Sequence, residues 1–81
     1  MFYVYVLWSE ALHRYYVGST ADVSNRLREH NSGESASTRN GIPWIVIYHE
    51  EFRTRSDAMK KEKQIKARGI KRYLVEQKGR D

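Results

Sequence analysis

Three groups of side chains in this sequence have types and spacings suited to handling a phosphate. In Phe2-Tyr3-Val4-Tyr5-Val6-Leu7-Trp8, strand alternation places Tyr3, Tyr5 and Leu7 on one face and Phe2, Val4, Val6 and Trp8 on the other. One face thus carries two phenols where a plain core would use Val or Ile. A buried hydroxyl needs a partner; an amphipathic ring with its tip in water is the alternative. Arg26 and His30 stand one helical turn apart, flanking the core-facing pair Val23 and Leu27. The guanidinium fork can hold two phosphate oxygens, and the imidazole can donate a hydrogen bond or a proton. A boundary arginine and a histidine at a helix C-terminus would equally serve the fold alone. Glu62 shares a narrow helical stripe with Ala58 and Ile65, bordered by Met59, while Lys60, Lys61 and Lys63 point elsewhere. A carboxylate facing inward from a basic helix must be paired, with a metal ion, with Arg26 or with a neighbouring lysine.

The elements that must position these groups follow from pattern and punctuation. Phe2 to Trp8 and Tyr15 to Val17 are rich in β-branched and aromatic residues and read as strands of a hairpin. No Asn-Gly or Asp-Gly pair lies between them, so the loop from Ser9 to Arg14 is longer than a two-residue turn. Gly18 closes the second strand. Thr20 or Asp22 then caps a helix to about His30, stopped by Asn31-Ser32-Gly33. The polar, glycine-punctuated stretch from Ser32 to Pro43 reads as an exposed loop. Trp44 to Tyr48 is a third strand, expected to pack on both faces. Thr54 or Ser56 opens a second helix through about Ala67, ended by Gly69, and Ile70 to Gln77 forms a short third.

A chain of 81 residues accommodates one domain, 1–81, with a modest core and a thin stability margin. It has no cysteine, which excludes disulfides and thiolate metal sites and fits a reducing cytoplasm. The apolar start is too short for a membrane span and lacks the marks of a signal peptide, so a soluble cytoplasmic protein is expected. The formal charge is +5 and the pI near 9.7. Eleven of the 15 Lys and Arg lie from Arg53 to Arg80, against Asp57, Glu62, Glu76 and Asp81. This asymmetry suits a polyanion, either nucleic acid or an acidic membrane face; for Lys60, Lys61 and Lys63 a solvated helical surface is an equal alternative.

Taken together, these residues resemble the GIY-YIG nuclease superfamily, closely its small stand-alone bacterial members. Tyr3-Val4-Tyr5 stands at the first motif and Tyr16-Val17-Gly18 at the second. Thr20 and Asp22 lead to Arg26-Leu27-Arg28-Glu29-His30-Asn31-Ser32-Gly33, followed by Thr38-Arg39, Pro43, Ser56-Asp57-Ala58 and Lys61-Glu62-Lys63-Gln64-Ile65-Lys66. The resemblance spans nearly the whole chain. Each three-residue motif is weak, and the ordered set at these spacings is strong. Three positions depart from the pattern: Tyr3 replaces a glycine, Ser19 stands where repair-type relatives often have lysine, and no asparagine follows Glu62.

The resemblance implies an α+β fold, a three-stranded antiparallel sheet flanked by about three helices. It also implies a phosphodiesterase site that uses one divalent metal, Mg²⁺ or Mn²⁺, bound weakly without substrate. Carried over by position, Tyr5 and Tyr16 are the motif tyrosines, Arg26 the phosphate-binding arginine and Glu62 the metal ligand. His30 matches a histidine found in some branches. A tyrosine would orient or deprotonate the attacking water, and for a free phenol of pKa near 10 that means closing roughly 3 units, about 4 kcal/mol. The residues do not distinguish Tyr5 from Tyr16 in that role. The function so implied is a DNA endonuclease or nickase, with Arg28, Arg39, Lys60, Lys63 and Lys66 carrying the DNA. The alternatives are a nucleic-acid-binding module that keeps the fold without cutting and a structural interaction domain. Relatives usually fuse this module to a targeting domain, and 81 residues leave no room for one. Weak sequence specificity, with a homodimer or a protein partner for targeting, is therefore expected.

Overall fold

The computed structural model describes residues 1–78. The chain order is β1 (Phe2–Ser9), β2 (Arg14–Thr20), α1 (Val23–Asn31), a single 3₁₀ turn (Arg39–Gly41), β3 (Trp44–Phe52), α2 (Arg55–Arg68) and α3 (Ile70–Lys78). The strands form one antiparallel sheet in the order β2-β1-β3, so the α+β class expected from the sequence is the one observed.

The two faces of β1 seed two cores. Val4 and Val6 join Val17 of β2 and are covered by Ala58 and Ile65 of α2 and Tyr73 of α3. On the opposite face, Tyr5 and Leu7 pack with Tyr16, Val23 and Leu27 of α1, Ile42 and Trp44. Val4, Tyr5, Val6 and Leu7 are all essentially inaccessible. Burial on both faces therefore belongs to the central strand, β1, rather than to β3 as its apolar run suggested. β3 forms an edge of the sheet, where one face stays wet, and Ile45 and Ile47 are 55% and 42% exposed. The same alternation lets β3 run on through His49-Glu50-Glu51 to Phe52, past its expected end.

Local chemistry sets the boundaries. The Asp22 carboxylate caps α1 by accepting from Asn25 N at 3.0 Å, and Thr54 Oγ1 caps α2 by accepting from Asp57 N at 3.1 Å. Gly69, at φ +95°, ends α2, and α3 begins on the next residue. Arg68 and Glu76 form an ion pair across that corner. β2 does not stop at Gly18 but continues to Thr20, because Gly18 pairs directly with Tyr5. The segment from Ser32 to Pro43 is not simply an exposed loop. Thr38 is 1% exposed, Trp44 Nε1 donates to its carbonyl at 2.7 Å, and Ser9 Oγ donates to Gly41 O at 2.7 Å. Buried backbone carbonyls need donors, and these two side chains supply them. Among the described residues, no helix is long and apolar enough to cross a membrane.

Ile65 is fully buried where α2 meets the sheet. Ile65→Ala should cost about 2–5 kcal/mol in urea unfolding. A loss below about 1 kcal/mol would mean that α2 is not docked as described.

Candidate active site

The register of β1 against β2 places Tyr5 opposite Gly18 and Leu7 opposite Tyr16. The Tyr5 ring lies across the bare Gly18 backbone: a Cβ there would fall 2.7 Å from the Tyr5 hydroxyl and 2.9 Å from Cζ. Glycine is required here for close approach, since any side chain would push the phenol away. Laid in this direction, the hydroxyl meets His30 Nε2 at 3.0 Å, in the interior. His30 is completely buried at the end of α1, and its Nδ1 lies 2.7 Å from Thr38 Oγ1. Tyr16 packs edge-on against the imidazole, with centroids 4.9 Å apart. No hydrogen bond ties the Tyr16 hydroxyl among the described residues, and no fully buried side-chain polar atom there lacks a partner, so this hydroxyl touches solvent.

Charge enters from two helices. Arg26 reaches Tyr5 from α1 and pairs through Nη1 with Glu29 Oε1 at 2.8 Å. Glu62, on α2, is close enough to act electrostatically on Tyr5, and its Oε2 is paired with Lys66 Nζ at 2.9 Å. Of the two side-chain pairings open to Glu62 on sequence grounds, the structure shows the one with a neighbouring lysine, and Arg26 takes Glu29 instead. Burial raises the Tyr5 phenol to about 12; Tyr16 and Glu62 push it the same way, and Arg26 opposes them. Burial holds the His30 imidazole below its usual range, helped by Arg26 and countered by Glu29. A neutral imidazole beside a protonated phenol is therefore the resting arrangement at neutral pH.

The structure thus brings together Tyr5, Tyr16, Arg26, His30 and Glu62, with Lys66 alongside. Tyr3 faces elsewhere, donating to Glu51 Oε2 at 3.2 Å. Arg28 and Arg39 turn to the loop after α1, the first toward Glu34 and the second donating to Gly33 O. Lys60 and Lys63 are exposed on α2. Two members were named in the motif set but given no role there. Glu29 stands three residues from Arg26, a spacing at which helix ion pairs form, so its role was legible. Thr38 carried only the Thr38-Arg39 match, since nothing in its neighbourhood marks it as buried.

Among the described residues, no group of three or more His, Asp or Glu side chains forms a ready metal cage. Glu62 offers a single oxygen donor group that already holds one cation, the Lys66 ammonium. This donor set fits a hard divalent ion that keeps most of its waters and takes further oxygens from a substrate.

This small α+β domain sets two phenols, an arginine and an imidazole around one strand crossing, with a carboxylate on the neighbouring helix. The family model of the GIY-YIG catalytic domain matches residues 1–73, and the chain belongs to that nuclease family. Its relatives include a UPF0213 protein of Haloquadratum walsbyi, 45% identical over 76% of this chain and 73% of the relative. Another, from Natronomonas pharaonis, is 42% identical over 90% and 88%. The solution structure of a UPF0213 protein from Bacillus halodurans covers 99% of this chain and 88% of its own, with 32% identity and a TM-score of 0.58.

The buried imidazole makes stability depend on pH in a defined direction. Its folded value lies below the ordinary 6.5, so the unfolded chain binds the proton more readily. Stability is complete above about pH 6.5 and is lost as pH falls toward and through the lower folded value. Glu29, held below the usual carboxylate range by Arg26, titrates beneath that window. Urea unfolding from about pH 8 to about pH 5 should show the loss, and His30→Gln should flatten it. An equal loss in the variant would assign it to other groups.

Proposed function

We propose that this chain is a divalent-metal-dependent DNA endonuclease or nickase, with Tyr5, Tyr16, Arg26, His30 and Glu62 as its working residues. The observation that carries the reading is the Tyr5 hydroxyl held at 3.0 Å from a buried, neutral His30 beside Arg26. A module that only binds nucleic acid has no use for a phenol sealed against a proton acceptor.

The roles follow from the geometry. Arg26 exchanges Glu29 for a non-bridging phosphate oxygen and neutralises its charge. Tyr16, whose hydroxyl is free, orients the attacking water. Tyr5 accepts the water's proton while passing its own to His30 Nε2. Free ionisation of a phenol at about 12 would cost about 7 kcal/mol at neutral pH. Transfer to His30 within the same step avoids forming an isolated phenolate. Glu62 and water oxygens would hold Mg²⁺ or Mn²⁺, which when bound supplies Lewis-acid polarisation of the phosphate and stabilises the leaving oxygen. Neutralising Glu62 also removes that carboxylate's upward push on Tyr5. Lys66, released from Glu62, joins exposed Lys60 and Lys63 as a phosphate contact; Arg28 and Arg39 extend that basic surface around the loop after α1. Such contacts give binding that is largely electrostatic and steeply salt-dependent.

A second reading is a nucleic-acid-binding module without turnover. The Glu62–Lys66 pair favours it, because it neutralises a carboxylate that would otherwise repel phosphate. The two readings separate in a cleavage assay on duplex, nicked, branched and single-stranded DNA with Mg²⁺ or Mn²⁺. The nuclease reading expects cutting that falls about 10²-fold or more in Arg26→Ala and Glu62→Gln. Salt-sensitive binding with no cutting on any substrate would select the binding module. Cutting that survives Glu62→Gln would remove Glu62 from the site.

A further inference from the structure

We propose that Thr38 is a positioning residue: its hydroxyl oxygen accepts from His30 Nδ1–H and holds the imidazole in the tautomer that Tyr5 selects, with a bare Nε2 facing the Tyr5 hydroxyl. The functional meaning rests on the reading of Tyr5 and His30 as a proton-transfer pair. The tautomer itself can be measured without any cleavage.

The argument counts hydrogens along one buried line. Tyr5 Oη lies 3.0 Å from Nε2, Nδ1 lies 2.7 Å from Thr38 Oγ1, and Thr38 Oγ1 lies 3.4 Å from Ser35 O. Tyr5, His30 and Thr38 are all 0–1% exposed, so before substrate binds solvent does not stand in for a missing partner; on the proposed function the attacking water reaches Tyr5 Oη only together with the phosphate. The far end of the line is a carbonyl, which can only accept. Ser35 O, which also accepts from Thr38 N at 3.2 Å, can take the Thr38 hydroxyl hydrogen as well, leaving that oxygen to accept from Nδ1–H. Nε2 then keeps its lone pair, and Tyr5 donates to it. Every hydrogen has an acceptor.

The opposite tautomer fails this count. With Nε2–H pointing at Tyr5, the phenol would accept, and its own hydrogen would need another acceptor. His30 Nε2 is the hydrogen-bond partner recorded for that hydroxyl among the described residues, and neighbouring Arg26 offers donors only. A buried, unsatisfied hydroxyl hydrogen is costly, so the Nδ1–H form wins. That form is also the useful one, because only a bare Nε2 can take a proton from Tyr5.

Thr38 is itself held by groups that depend on the end of α1. Trp44 Nε1 donates to Thr38 O at 2.7 Å, and Gly41 N donates to the same carbonyl at 3.1 Å. Trp44 is in turn gripped by Asn31, whose Oδ1 accepts from Trp44 N at 2.7 Å while Nδ2 donates to Trp44 O at 3.0 Å. His30 and Asn31 are consecutive, so the residue that receives the histidine's Nδ1–H is anchored through the histidine's own neighbour. Valine here would have the same shape but would leave the buried Nδ1 without a partner.

The test is a long-range ¹H–¹⁵N correlation spectrum of the labelled full chain at about pH 8, above the ordinary imidazole range. The His30 signals are identified by comparison with His13→Asn and His49→Asn. The wild type and Thr38→Ser should show a protonated Nδ1 and a bare Nε2. Thr38→Val should keep that tautomer, because Tyr5 has no other acceptor, and its Nδ1–H should exchange faster and resonate at higher field. A wild-type Nε2–H tautomer overturns the proposal, and so does a Thr38→Val Nδ1–H signal that does not move. If Thr38→Val does not fold, the wild-type and Thr38→Ser spectra still decide. In cleavage, Thr38→Val should lower kcat by about 10²-fold with KM for DNA unchanged, and Thr38→Ser should recover it. A chain that cuts nothing but shows the Nδ1–H tautomer keeps this inference and loses the nuclease.

Discussion

The site depends on one close approach, the Tyr5 ring lying over the bare backbone of Gly18. The sheet order makes it possible. As the central strand, β1 buries both faces, so Tyr5 is sealed under α1 while Val4 and Val6 dock α2 and α3. Only a glycine opposite lets the phenol lie flat enough to reach the end of α1. The crossing fixes where the hydroxyl sits, and α1 presents Arg26 and His30 to that point from consecutive turns. The second motif's glycine is thus explained by the first motif's tyrosine.

The charged groups arrive already paired, Arg26 with Glu29 and Glu62 with Lys66. Both pairs are partly solvated, so each contributes little to stability and is cheap to exchange. On the proposed function this suits a site that must trade partners. A phosphate replaces Glu29 at Arg26, and a hard cation replaces Lys66 at Glu62.

Periodicity and capping made the main elements legible: both cap candidates that were used, Asp22 and Thr54, were on the page, and helix ends fell within a residue or two. The α-helical spacing of Arg26 with His30, and of Glu62 with Ala58 and Ile65, placed those side chains on the faces they occupy. What sequence pattern missed is what tertiary context decides. A continuous apolar run cannot say whether its strand is central or at an edge, so double burial was assigned to β3 instead of β1. A polar, glycine-bearing stretch reads as solvated. The burial of Thr38 depends on Trp44 and Ser9 arriving from other strands, which no local pattern records. The choice of Lys66 over Arg26 as the partner of Glu62 likewise required the two helices to be placed.

The claim at the centre of the account is that Tyr5 takes the proton of the attacking water. It is tested most directly by replacing Tyr5 alone with a ring-fluorinated tyrosine, whose phenol is more acidic but nearly unchanged in shape, and measuring the single-turnover cleavage rate against pH. The account predicts that the rising limb of the profile moves to lower pH with the acidity of the phenol. A cleavage profile that stays where the natural tyrosine put it would contradict the account.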